Sequence, residues 1–205
     1  MTARQRLQIR LSHDWGPRLA SRLRQRWVRL RNPLADISFG PGCRLGPGFS
    51  LQAPWGGRFH CGPGCEFRRG FRAELAGPDA TVAIGDATRF TYDVVIQCAG
   101  SITIGAGAMF AAHSMVVDGS HRFRDLDVGL LDQGYDLRTI HIGDGVGVMA
   151  KTTVIADVGT RAFVGANALV SRPIPPYTVA VGVPARVVDY FGPPGQEPEG
   201  WPRDG

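Results

Sequence analysis

The 205-residue chain has a single lysine, Lys151, although it holds 23 basic residues, and it has no apolar run long enough to cross a bilayer as a helix. That excludes a helical membrane span. The N-terminus lacks the apolar core of a secretory signal, so export by that route is not expected. The four cysteines are too few to scaffold a chain of this length with disulfides, and none sits in a C-x-x-C pair. Cys61 and Cys65 stand four apart, but no nearby Cys/His pair completes a zinc set, so no metal is expected. These absences predict a reducing, cytoplasmic setting. The phosphate loop G-x4-G-K-[ST] is also missing, so nothing points to nucleotide hydrolysis.

Glycine and proline, by contrast, are abundant at 28 and 15 residues, so turns must come often. A hydrophobic fraction of 43% is enough for a real core in one domain. Charge is uneven. Residues 1–32 carry nine arginines against Asp14 alone, so the basic balance belongs to this segment. Within it Leu7, Leu11 and Trp15 share one helical face, as do Leu19, Leu23, Trp27 and Leu30. Gly16-Pro17 separates the two patterns and Asn32-Pro33 ends the second. Two short amphipathic helices are predicted over residues 1–33. They either cap the open end of the main domain or adsorb to an anionic membrane surface or glycolipid. Nucleic acid is disfavoured because no stacking aromatics interleave with the arginines.

From residue 37 apolar residues recur every six positions. Ile37, Cys43 and Phe49 begin the series; Ile84, Phe90, Ile96 and Ile102 continue it. After a two-residue offset come Ile104, Phe110 and Val116, then Ile142, Val148 and Val154, then Val158, Val164 and Val170. A period of six fits neither a helix nor a hairpin ladder. It fits a coil of three short strands turned by small residues, stacked so that one apolar side chain per strand points inward. A two-layer sandwich would instead alternate by twos between hairpin turns. Residues 117–139 lack the period and are expected to leave the coil as a loop. A hexad near Asp157 is two residues short. Residues 34–190 therefore form the repeat domain, and 191–205, rich in Pro, Gly and Glu, are expected to be disordered.

Two segments carry a family resemblance. "GANALVSRPIPPYTVAVGVPARVV" is similar to the ending of the hexapeptide-repeat acetyltransferases. "HRFRDLDVGLLDQGYDLRTIHIGDGV" resembles the H-x-F-x-D-x-D…Q-G-[YF]…I-x-I-G-D-x-V segment of bacterial O-acetyltransferases of capsule, exopolysaccharide and lipopolysaccharide sugars. The resemblance covers roughly residues 80–190 and implies an all-β fold: a left-handed parallel β-helix with one protruding loop, preceded here by the helical segment. It further implies a homotrimer with acetyl-CoA in a groove between subunits, and a histidine on the loop as general base.

His121 matches that histidine. Thioester-to-hydroxyl transfer needs one proton removed as the oxygen attacks, which a neutral imidazole suits. His113 lies within a hexad and His141 beside Ile142, while His60 and His13 carry no motif. The γ-class carbonic anhydrases share the fold and bind zinc through three histidines, but His113, His121 and His141 lack their H-x4-H pair. Asp118, Asp125 and Asp127 are candidates to orient the base. Asp118, Asp125 and Gln133 are candidates to touch the acceptor, Gln133 with a loop-fixing role as well. For coenzyme A, Ala150 and Ala166 match the small residues beside the pantetheine arm, and Ser171, Arg172 and Arg186 match the family's polar and basic positions, arginine being a suitable phosphate partner. Two departures stand out. Gly147 replaces the family's tryptophan, and Thr91 and Ala99 fall where the simple-sugar enzymes have Asn and Asp.

The expected activity is acetyl-CoA-dependent O-acetylation of a sugar hydroxyl in a polysaccharide or glycolipid precursor, in the cytoplasm or at the inner membrane face. N-acylation of an amino sugar, acetylation of a small alcohol such as serine, and a non-catalytic β-helix scaffold are the alternatives.

Overall fold

The computed structural model describes residues 16–199, and the helix expected from Leu7, Leu11 and Trp15 lies outside them. One helix, Gly16–Arg31, precedes a parallel β-helix with three faces. The first face stacks strands Asp36–Phe39, Arg58–Cys61, Thr81–Ile84, Ser101–Ile104 and Thr139–Ile142. The second runs from Arg44–Leu45 to Thr178–Val181 and closes with the antiparallel strand Arg186–Tyr190. The third joins Ser50–Gln52, Arg72–Leu75, Val95–Cys98, Met115–Val117, Thr153–Val154 and Leu169–Val170. The three-sided parallel coil is the expected β-helix.

The hexads become columns. On the second face Leu45, Phe67, Phe90, Phe110, Val148, Val164 and Ala180 lie one above another. The rings of Phe67 and Phe90 stack at 5.0 Å and 5°, those of Phe90 and Phe110 at 4.9 Å and 15°. These separations match the spacing of neighbouring strands, so each coil buries the ring of the one below. Towards the C-terminus the column tapers to valine and alanine.

The first coil differs from expectation. Its inward set on the three faces is Phe39, Leu45 and Leu51, two residues after Ile37, Cys43 and Phe49. Both members of each such pair point towards the core because strands alternate with period two, and the earlier member fills a corner. The other corners take small polar residues that satisfy themselves: Thr88 Oγ1 donates to the Gly105 carbonyl (2.8 Å) and Thr152 Oγ1 to that of Gly165 (2.9 Å). Where the sequence is two residues short, the Asp157 carboxylate accepts the His141 N–H at 2.8 Å and so occupies a ladder position.

Helix Gly16–Arg31 covers the first coil, as the capping reading expected, but with its polar side. Ser21 Oγ accepts the Leu45 N–H at 2.9 Å, and Arg24 donates to the Leu45 carbonyl at 2.8 Å. Asn32 accepts the Ala53 N–H (2.9 Å) and donates to the carbonyls of Val28 (2.8 Å) and Leu51 (3.0 Å). Backbone groups at an unstacked edge must be satisfied, and this side of the helix does it.

Residues 118–138 leave the coil, one residue fewer at each end than the lost period indicates, and not as an irregular loop. Gly119–His121 pairs antiparallel with Tyr135–Leu137, and a 3-10 turn, Leu130–Asp132, lies between them. Of the tail, residues 192–199 carry no strand or helix, and 200–205 lie outside the described residues.

Candidate active site

His121 ends the first strand of this hairpin, opposite Tyr135. Its imidazole packs on the Tyr135 ring with centroids 4.3 Å apart and planes tilted by 41°. Nδ1 is enclosed and has no hydrogen-bond partner among the described residues, so the ring is oriented by packing rather than by an acceptor. Among Asp118, Asp125 and Asp127, none serves as that acceptor.

Asp118 has a different task. It is buried, and its Oδ1 accepts the Ala99 N–H at 2.8 Å. Its Oδ2 accepts the Gly100 N–H at 2.8 Å and the Cys98 thiol at 3.1 Å. The carboxylate therefore pins the base of the hairpin to the coil below, and its oxygens are engaged within the protein rather than offered to an acceptor. Burial first, and Asp118 second, push the Cys98 thiol up.

Gln133 braces the far end of the loop. Its Oε1 accepts the Asp125 N–H at 3.1 Å, and its Nε2 donates to the carbonyls of Asp125 (2.9 Å) and Val128 (2.8 Å). Asp125 in turn accepts the Asp127 N–H at 3.0 Å. The D-x-D and Q-G segments thus shape the loop. Asp125 and Gln133 also line an open hollow of about 480 Å³ within it, beside Arg122 and Arg124.

His121 itself faces another cavity, of about 280 Å³, whose walls include Glu74, Gln97, Ser120 and Tyr135. Glu74 and Gln97 are adjacent rungs on the outside of the third face, joined by a 3.4 Å hydrogen bond. Sequence reasoning missed both. The third-face strands could have revealed them, since Glu74 and Gln97 each follow an inward residue, Ala73 and Ile96, by one place.

The residues matched to coenzyme A lie on later coils. Ala150 and Ala166 stand on successive turns, with the Asn167 N–H donating to the Ala150 carbonyl at 2.9 Å. They form a small-residue ledge at one corner. Lys151 and Asn167 turn that corner in left-handed conformation, as does His113 one coil earlier, which makes His113 an exposed turn residue. Ser171 is half-buried, Arg172 exposed, and Arg186 exposed with its guanidinium on the Ala185 carbonyl at 3.1 Å. His141 is exposed. At Gly147, a Cβ would lie 2.9 Å from Cδ2 of Phe163, so the ring missing from one coil is supplied by the next.

One cluster has metal-ligand chemistry. The sulfurs of Cys43, Cys61 and Cys65 lie within 4.8 Å of one another, all buried. Gly40-Pro41-Gly42-Cys43 repeats as Gly62-Pro63-Gly64-Cys65, and this repeat, overlooked when Cys61 and Cys65 were read alone, brings Cys43 above Cys65. Cys43 donates to the Gly62 carbonyl (3.1 Å) and Cys65 to that of Gly85 (3.2 Å). Hydrogen bonding to Cys43 raises the thiols of Cys61 and Cys65, the latter to about 11. No fourth ligand joins them among the described residues, and the cluster reads as packed thiols.

This architecture has solved counterparts. The hexapeptide-repeat acetyltransferase VCA0836 of Vibrio cholerae is 26% identical, with a TM-score of 0.55 over 93% of this chain and 88% of that one. The fold is that of the hexapeptide-repeat acetyltransferases. AntD of Bacillus cereus, an N-acyltransferase solved with dTDP and 3-hydroxybutyryl-CoA, aligns with a TM-score of 0.62 at 15% identity, over 80% of this chain and 87% of that one. Among curated proteins, the probable acetyltransferase Rv3034c of Mycobacterium tuberculosis is 29% identical over 121 residues, which is 58% of this chain and 40% of that protein. The serine acetyltransferase of Haemophilus influenzae is 35% identical over 108 residues, 47% and 39% of the two chains. The chain thus spans about two-fifths of these curated relatives. No protein-family model matches it.

Proposed function

We propose that the protein transfers the acetyl group of acetyl-CoA to a hydroxyl of a sugar in a polysaccharide or glycolipid precursor, with His121 as general base. The observation that carries this reading is the position of His121, on a hairpin and at a polar cavity walled by Glu74 and Gln97. Acetyltransferase relatives and neighbours solved with coenzyme A support the donor.

The chemistry follows from these parts. A sugar hydroxyl held by Glu74 and Gln97 gives its proton to His121, and because Nδ1 is enclosed, Nε2 is the nitrogen left to take it. The oxygen attacks the thioester carbonyl. Collapse of the tetrahedral adduct breaks the carbon–sulfur bond, and the imidazolium returns its proton to the departing thiolate. No covalent intermediate with the enzyme is needed. The small side chains of Ala150 and Ala166 let the pantetheine arm approach backbone, and Ser171, Arg172 and Arg186 take its polar and phosphate groups. The working unit is a homotrimer with the donor between subunits, in the cytoplasm.

The second reading is N-acyl transfer to an amino sugar, for which the Glu74 carboxylate in the cavity is a suitable partner. A small alcohol such as serine is the third. Release of free thiol from acetyl-CoA in the presence of candidate acceptors tests the assignment. His121→Ala is expected to lose about 10²–10⁴ in rate. Undiminished turnover by that variant refutes the assigned base, and failure of coenzyme A to bind the wild type favours a scaffold.

A further inference from the structure

Helix Gly16–Arg31 is docked the wrong way round for an ordinary surface helix. Its buried positions are Ser21 and Val28, and Asn32 just past its end is buried too. Leu19, Leu23, Trp27 and Leu30, its apolar stripe, are 61%, 57%, 58% and 72% exposed. Leu34 extends the stripe and is exposed too. Trp55, also exposed, lies beside Gly56, where a Cβ would sit 3.1 Å from the Leu34 carbonyl oxygen. A helix normally turns such a stripe towards the core. Among the described residues the stripe is uncovered, because the other side is committed to the first coil's backbone through Ser21, Arg24, Gln25 and Asn32.

The charges on this helix are all of one sign. Six arginines and no acid lie between residues 16 and 31. With about 3.6 residues per turn, Arg18, Arg22, Arg26 and Arg29 fall along one border of the stripe and Arg31 along the other. Apolar side chains bordered on both sides by arginines suit a surface that is hydrocarbon beneath and anionic at its headgroups. A second copy of this helix would bring no counter-charge of its own: the helix facing itself would set six arginines against six.

We propose that helix Gly16–Arg31 lies in the interface of an anionic phospholipid bilayer, with Leu19, Leu23, Trp27 and Leu30 among the acyl chains and the bordering arginines at the phosphates. The capping and membrane readings are then two faces of one helix. The placement also suits the site. The first coil presents Gln52 on the third face, in register with Glu74 and then Gln97, at the cavity that holds His121. Three such rungs span about 10 Å, so an acceptor anchored in the bilayer would reach the imidazole along that face. Membrane docking itself does not depend on the acyl-transfer reading.

Sedimentation of the full-length protein with vesicles tests it. Binding is expected to vesicles of phosphatidylcholine with about 30% phosphatidylglycerol, to weaken with added salt, and to be slight on phosphatidylcholine alone. Leu23→Glu/Trp27→Glu should lower the partition coefficient at least about tenfold without changing the thermal unfolding midpoint, since both side chains are exposed. Arg22→Gln and Arg26→Gln should each lower it by about fivefold. The proposal is overturned if the wild type ignores anionic vesicles, or if the glutamate variant binds as well as wild type. It is equally overturned if that variant changes the oligomeric state or the stability, which would show that another copy or residues 1–15 cover the stripe.

Discussion

Replacing Asp118 by asparagine removes one oxygen and nothing else in size, and the structure says what that oxygen does. Oδ1 can still accept the Ala99 N–H, but an amide NH₂ in the place of Oδ2 would face two donors, the Gly100 N–H and the Cys98 thiol. Leaving a buried donor unmet costs about 1–3 kcal/mol, so a loss of about 2 kcal/mol is expected. For a chain of this size, at about 2.1 cal/mol/K per residue, that lowers the unfolding midpoint by about 5 °C. Asp118 stands three residues before His121 at the root of the hairpin, so loosening it also moves the base. A misplacement of about 1 Å costs up to about 100-fold in rate. The ledge at Ala150 and Ala166 lies on other coils, so KM for acetyl-CoA should hold while kcat falls. Thermal unfolding, hydrogen exchange at the amides of Ala99 and Gly100, and steady-state kinetics read these effects. Wild-type unfolding with unchanged exchange at those amides would refute the assigned role of the carboxylate.

Other consequences are as direct. Phe90→Ala removes a fully buried ring stacked on two others and should cost about 3–5 kcal/mol, whereas Phe163→Ala, on the outside of the same face, should cost about 1 kcal/mol or less; equal losses in chemical denaturation would contradict the column. Cys61, Cys65 and Cys98 should resist a thiol reagent at pH 8 until the protein unfolds, because they are buried and their thiols are raised towards the protonated form, whereas hydrogen bonds from Cys61 and Cys65 lower the Cys43 thiol; rapid labelling of more than one cysteine in the native protein would contradict this. Ala166→Leu, at an exposed position, should leave stability unchanged and raise KM for acetyl-CoA by about tenfold or more, and an unchanged KM would remove the ledge from the donor site.

The regular part of the fold was legible because each coil repeats one physical requirement, an inward apolar residue on each of three faces. Ile84, Phe90 and Ile96, or Val158, Val164 and Val170, occupy the places their spacing predicts. The first coil misled because Cys43 and Phe49 have the period too, and a period alone does not say which of two inward-leaning residues is the column member. The histidine hairpin was legible as a break in the period and through its family resemblance, but not as a hairpin, since Gly119–His121 and Tyr135–Leu137 are held by pairing with each other rather than by a buried stripe. Asp118 looked like a loop acid because its partners, the backbone of Ala99 and Gly100, become neighbours only after the coil closes. The helix shows the same limit. Its amphipathicity was plain, yet what decided its orientation was the unsatisfied backbone of the first coil, to which Ser21 and Asn32 answer.

A crystal soaked with coenzyme A measures the central claim most directly. The account predicts the pantetheine arm along Ala150 and Ala166 with its sulfur within about 4 Å of the His121 imidazole. Coenzyme A bound elsewhere, or a sulfur remote from that ring in a fully occupied site, would contradict it.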